Sequence, residues 1–212
     1  MNKLLLALSL GAALGSISPH ASAAPVDLST WLAHGDAQVN SASAKVTTAF
    51  FNETPLGSGA LDITTLESLL STPSGTLGVD AFEGSALSQS FNLAASSTLS
   101  FNWTLGTDIF DAGFADLAFV LVDGTLLLPL ANVTAAELSG AFSYTFSAGT
   151  HTLAFGVVDV NDVLGVSTLT VSGVDVATAA VPEPGSLALM LMGLVGLAGM
   201  GSRASRSKPQ SR

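Results

Sequence analysis

Residues 114–131 read FADLAFVLVDGTLLLPLA, two apolar runs on either side of Asp123-Gly124. An Asp-Gly pair supplies positive φ at both central positions of a type I′ turn, whose twist suits two antiparallel strands. The stretch predicts a β-hairpin, and a lone hairpin is not stable without further strands to bury its apolar face.

Those strands lie on both sides. Upstream, SSTLSFNWTL (96–105) sets Leu99, Phe101, Trp103 and Leu105 on one face and Ser100, Asn102 and Thr104 on the other, the alternation of a half-buried strand. SALSQSFNLAA (85–95) offers another strand before it. Downstream, Phe142, Tyr144 and Phe146 alternate with Ser143, Thr145 and Ser147. Ala148-Gly149 then turns the chain into THTLAFGVVDV (150–160), where Leu153, Phe155 and Val157 repeat the pattern, and a last strand runs through STLTVSGVDV (167–176). Short strands with regular turn signals predict an all-β fold, a single antiparallel β-sandwich of jelly-roll type. One short helix is expected in DITTLESLLSTPSG (62–75), with Thr64 and Glu67 as a capping box ahead of Leu66, Leu69 and Leu70, and Pro73 and Gly75 ending it. It would serve as a lid or an edge cover.

Of 212 residues, 48% are hydrophobic and 10% charged, enough apolar material for one cored domain. The charges are unevenly placed. All sixteen acids fall between Asp27 and Glu183, while the bases are Lys3, Lys45 and a terminal group of Arg203, Arg206, Lys208 and Arg212. Residues 24–180 therefore set fifteen acids against Lys45 alone, a net charge of −14. Such a body repels phosphate backbones, which argues against nucleic-acid binding. With no cysteine, neither a disulfide framework nor a thiolate metal site nor a Cys nucleophile is available.

The two ends read as addresses. Residues 1–23 carry Lys3, an apolar run from Leu4 to Ile17 and the small-x-small ending Ala21-Ser22-Ala23, the layout of a secretory signal peptide cleaved by signal peptidase after Ala23. Residues 24–177 are expected to form the β-sandwich ectodomain. Residues 178–212 are different in kind, ending in VPEPGSLALMLMGLVGLAGMGSRASRSKPQSR (181–212). Pro182 and Pro184 fix their own φ and bias their neighbours toward extended backbone, a stiff spacer. A helix over 186–202 would cover roughly 25 Å, barely the hydrocarbon core of about 30 Å. The basic tail, 203–212, stays cytoplasmic under the positive-inside rule, so everything before Pro182 is expected outside the inner membrane. Gly193, Gly196, Gly199 and Gly201 weaken this single transmembrane segment, as suits a temporary hold.

Val181-Pro182-Glu183-Pro184, the apolar run and the basic end together resemble the PEP-CTERM sorting signal. The resemblance implies an exported protein of a Gram-negative bacterium, handled by exosortase, a membrane-embedded cysteine transpeptidase-like enzyme, near residues 182–184. It further implies a neighbourhood of exopolysaccharide and biofilm, transient anchoring in the inner membrane, and a final place on the cell surface or in the extracellular matrix. The stretches 83–105, 114–124 and 147–176 also resemble the sandwich ectodomains that often precede such tails, which implies a jelly-roll akin to carbohydrate-binding modules. Ser172-Gly173 stands where relatives tend to carry Asp-Asn before the valine, so a ligand role for the last strand is not implied.

The inventory for catalysis is thin. There is no Gly-x-Ser-x-Gly elbow, His-Glu-x-x-His helix or phosphate-cradling loop. His151 alternates with Leu153 and Phe155, which suits a hydrogen-bonded histidine better than a base. His34 and Asp36 in WLAHGDAQVN (31–40) read as an exposed loop pair. The chain is therefore expected to be no enzyme, and a carboxylate-dependent glycoside hydrolase is the least favoured alternative. A calcium-assisted, lectin-like module is the stronger one: Asp159, Asn161 and Asp162 bring three oxygen ligands within four residues, although Val163 breaks the EF-hand spacing and an Asx turn needs no metal. Asp108, Asp111 and Asp116 flank a second loop of that kind. No other cofactor is indicated. For a sugar platform the aromatic candidates are Trp31, Trp103 and Tyr144; alternation assigns Trp103 and Tyr144 to the core and leaves Trp31 free.

Overall fold

The computed structural model describes residues 23–50, 53, 55–109, 115–134, 137–161, 163–179 and 191–194. The hairpin forms as read: β8 (Leu117–Val122) and β9 (Leu126–Asn132) flank a turn in which Asp123 and Gly124 both have positive φ, 51° and 65°. Thr125 N–H closes it on the Val122 carbonyl at 3.2 Å.

Two antiparallel six-stranded sheets are present among the described residues, as the alternating patterns require. The first is built from β3 (Ala37–Val39), β4 (Ser43–Thr47), β7 (Ser97–Thr107), β10 (Glu137–Phe146) and β12 (Ser167–Thr178) in the order β10-β7-β12-β4-β3; β1 (Ala23–Pro25) joins the end of β12. The second sheet has the order β2-β6-β11-β8-β9, with β2 (Leu32–His34), β6 (Ala81–Leu93) and β11 (Gly149–Val160), and β5 (Leu61–Asp62) added to β6.

The main core lies between the sheets. Leu99, Phe101 and Leu105 from β7 and Leu169 and Val171 from β12 meet Leu153, Phe155 and Val157 from β11. Burial of such side chains contributes roughly 1.5–3 kcal/mol each. A second apolar layer lies on the far face of the second sheet. There Leu66 and Leu70 of α1 (Ile63–Leu69 and its C-cap), with Leu77, cover Phe119, Leu121, Ala154 and Val158. This explains why residues 117–122 are an unbroken apolar run: Val120 and Val122 face the first core, Phe119 and Leu121 the second, so both faces of β8 are dry. The helix is a cover over the middle of a sheet face, more than an edge cap.

The expected capping box is not what starts α1. Asp62 is the N-cap, accepting from Thr65 N–H at 3.0 Å and from the Thr64 hydroxyl at 2.6 Å, which holds its carboxyl down at about 2. Glu67, only 2% exposed, instead accepts from Gly75 N–H and Leu77 N–H, both at 2.9 Å. A carboxylate buried under the loop gains more from two otherwise unmade N–H bonds than from a helix end that Asp62 already satisfies.

Residues 22–179 form one compact unit. The expected signal segment, apart from Ala23, lies outside the described residues, as do the sorting residues and the basic cluster; of the expected helix 186–202, residues 191–194 are described and helical. Among the described residues no helix is long and apolar enough to cross a membrane.

Candidate functional site

The two sheets differ in what covers them. The second is roofed by α1 and its loop, whereas the outward side chains of the first sheet run across it as a polar lattice. Register places Gln38, Lys45, Thr170, Thr104 and Ser139 in one row across β3-β4-β12-β7-β10. The adjacent row is Thr168, Gly106 and Glu137, ending at Thr47, which is buried. Gly106 has no side chain, so the sheet dips there into a groove of about 540 Å³, bordered by Lys45, Thr104, Asp108, Glu137, Thr168 and Thr170. Asp108 borders it with its Oδ1 accepting Val166 N–H at 2.6 Å. Lys45, the lone base of residues 24–180, is half-buried in this groove and forms no ion pair among the described residues. Ser100, Asn102 and Ser143 continue the polar surface along the same sheet.

The aromatic candidates are not on that surface. Trp103 packs half-buried against the main core, its indole lying over Gly140, where an added Cβ would come within 2.7 Å. Tyr144 is likewise half-buried beside Phe146, rings 4.8 Å apart. Trp31, which the sequence left free, is 5% exposed and set against Phe155 at 5.2 Å. As a sugar platform it is overturned: the turn Leu28–Thr30, capped by Asp27, delivers the indole into the core, where its area counts for most.

The exposed pair expected at His34 and Asp36 is also corrected. His34 is 5% exposed, its Nε2 2.8 Å from Ser88 Oγ, and burial pushes its pKa below the usual value. Asp36, fully buried, accepts from the Thr47 hydroxyl and from Leu56 and Gly57 N–H at 2.9 and 2.7 Å, tying the loop after β4 to the sheet. His34 thus joins β2 to β6, whereas Asp36 holds a loop.

His151 is hydrogen-bonded, as its alternation predicts. Nδ1 lies 2.9 Å from Asp123 Oδ2, and Nε2 lies 3.2 Å from the Ser147 carbonyl and 3.4 Å from its hydroxyl. Burial works against the Asp123 charge, yet the bonds from His151 and Thr152 N–H outweigh it and lower the carboxyl's pKa. One nitrogen meets the Asp123 carboxylate and the other the carbonyl and hydroxyl of Ser147, so the ring pins two turns together.

Of the proposed calcium ligands, Asp159 is buried near the end of β11 and Asn161 is exposed at φ 71°, its N–H donating to the Asp80 carbonyl; Asp162 lies outside the described residues. Asp108 is exposed and Asp116 buried, with Asp111 outside the described residues. Among the described residues no group of three or more His, Cys, Asp or Glu is placed to hold a metal. Sequence reading missed Glu83, a buried residue paired in register with Asp62, whose carboxyl is pushed up to about 7 by burial and by the charges of Glu53 and Asp116. Its neighbours come from separate loops, so no local spacing announces them.

Comparison with curated protein sequences finds no match. Among solved structures the chain is similar to a family 35 carbohydrate binding module from Clostridium thermocellum, at 10% identity over 75% of this chain and 100% of that one, TM-score 0.37. It is also similar to a structure described as CBM4, at 15% identity over 71% and 96%, TM-score 0.34. The third is a CBM35 from Paenibacillus barcinonensis, at 12% identity over 72% and 98%, TM-score 0.28. Likenesses at these scores say nothing about ligand or activity. At the other end of the chain, residues 180–207 match the family described as the PEP-CTERM protein-sorting motif, so the chain carries a sorting signal of that kind behind its β-sandwich.

Proposed function

We propose that this is an exported, noncatalytic protein whose β-sandwich is carried outward, held in the inner membrane by its C-terminal segment, and handed to exosortase for display on the cell surface or in the extracellular matrix. The match of residues 180–207 to the PEP-CTERM motif carries the reading. Charge supports the direction: the bases of the tail favour the cytoplasmic side, and the body before it has a net charge of −14. Residues 1–23 are read as the signal peptide that starts export, with cleavage after Ala23.

Such a protein resides among exopolysaccharide, and the uncovered polar face of the first sheet supports association with it. The noncatalytic assignment rests on the engagement of His34, Asp36 and His151 in structural hydrogen bonds that join strands, a loop and turns. The test is Pro182→Ala with Glu183→Ala in a host that has exosortase. Export and signal removal should continue while processing of the tail stops; unchanged processing would contradict the assignment.

A further inference from the structure

We propose that the groove around Gly106 on the outer face of the first sheet is a binding site for an uncharged, polyhydroxylated polymer, a neutral polysaccharide chain lying across β4, β12, β7 and β10. This rests on the reading that the displayed protein associates with exopolysaccharide, and it names where and by which groups.

Three observations carry it. The groove is lined by short hydroxyl side chains: Thr104 and Thr170, in register on the neighbouring strands β7 and β12, and Thr168, two residues along β12 opposite Gly106. Hydroxyls that both donate and accept stand on strands about 4.8 Å apart, Thr104 beside Thr170 across the sheet. Second, Lys45 is a half-buried ammonium without an ion pair among the described residues, although Glu137 and Asp108 border the same groove. Its three donors are left for a ligand that offers oxygen. Third, acceptors and donors are mixed: two carboxylates, one ammonium and three hydroxyls match a partner that is itself donor and acceptor at every position, as a sugar is.

Charge selects among polysaccharides. The groove holds two carboxylates against one ammonium, on a body of net charge −14, so a uronate or sulfated polymer would enter against the field. None of the aromatic candidates borders the groove, so recognition here is by hydrogen bonds, and loss of a hydroxyl is what the site should feel most.

The test uses the full chain purified in mild detergent and measures depletion from solution by insoluble neutral polymers, a β-glucan, a galactan and a xylan, with alginate as the acidic comparison. Thr104→Val with Thr170→Val keeps shape and strand preference while removing two hydroxyls, and should weaken retention on the preferred neutral polymer about tenfold. Lys45→Gln should weaken it as well. Ser90→Ala, on the other sheet, should leave retention unchanged, and matching melting temperatures would show that all variants fold. Retention of the wild type with no loss in the groove variants would overturn the groove as the site while leaving the association intact. No retention on any neutral polymer would overturn both, and tighter binding to alginate would overturn the choice of an uncharged ligand.

Discussion

Glu83 holds a carboxyl where its charge is unwelcome: it is buried, opposite Asp62 in register and close enough to Glu53 and Asp116 to feel both. Its pKa rises from 4.5 to about 7, so within that window the folded protein keeps a proton that the unfolded chain has released, and stability falls as pH rises through it. Glu83→Gln should therefore melt at a higher temperature than the parent above about pH 7 and at the same temperature below 4.5. Equal melting across the range would contradict this. Asp62 behaves oppositely, its carboxyl held at about 2 by the Thr64 and Thr65 hydroxyls and Thr65 N–H, and what it contributes is lost only as pH falls toward that value. Asp62→Ala removes the N-cap of α1 and should cost roughly 1 kcal/mol, read as a lower urea midpoint at unchanged slope. At this scale the sequence told little beyond residue type. The alternation correctly gave His151 a hydrogen-bonded role, but Trp31, His34 and Asp36 sit in strands of three residues or in the turns between them, too short to show a period.

Among the elements, the roof over the second sheet depends on Glu67 more than on helix propensity. Glu67→Ala would leave the N–H groups of Gly75 and Leu77 without their acceptor and should cost roughly 2–3 kcal/mol, with faster proteolysis in residues 72–78. Gly156 in β11 is needed for close approach: a Cβ there would lie 2.4 Å from the Ser85 carbonyl and 2.8 Å from the Phe119 ring. Gly156→Ala should destabilise by about 1–3 kcal/mol, measured by urea unfolding; a neutral effect would mean that β6 and β8 can move apart. The long strands β6, β7, β10, β11 and β12 and the Asp-Gly hairpin were legible because alternation and turn chemistry are local. The four strands before residue 48 were not: three of them are only three residues long, and β1 and β2 pair with distant segments, β12 and β6, while β3 pairs with its neighbour β4. The second apolar layer was hidden for a related reason: an unbroken run such as 117–122 shows that both faces are dry without saying what covers them.

On the scale of the whole molecule, the sandwich and the tail answer to different chemistry. The sandwich was readable as a class of fold because its periodicity demands two buried sheet faces, while the groove around Gly106 was invisible until register aligned four distant strands. The tail was readable without any structure, because proline spacing, apolar length and terminal bases act through covalent geometry and membrane electrostatics. The account stands or falls on that tail being removed after export. Mass spectrometry of the C-terminal peptide of the mature protein, from a host that has exosortase, measures it directly. The account predicts a chain that ends near Pro182–Pro184 and lacks Arg203, Arg206, Lys208 and Arg212. A mature protein still ending in Arg212 would contradict it.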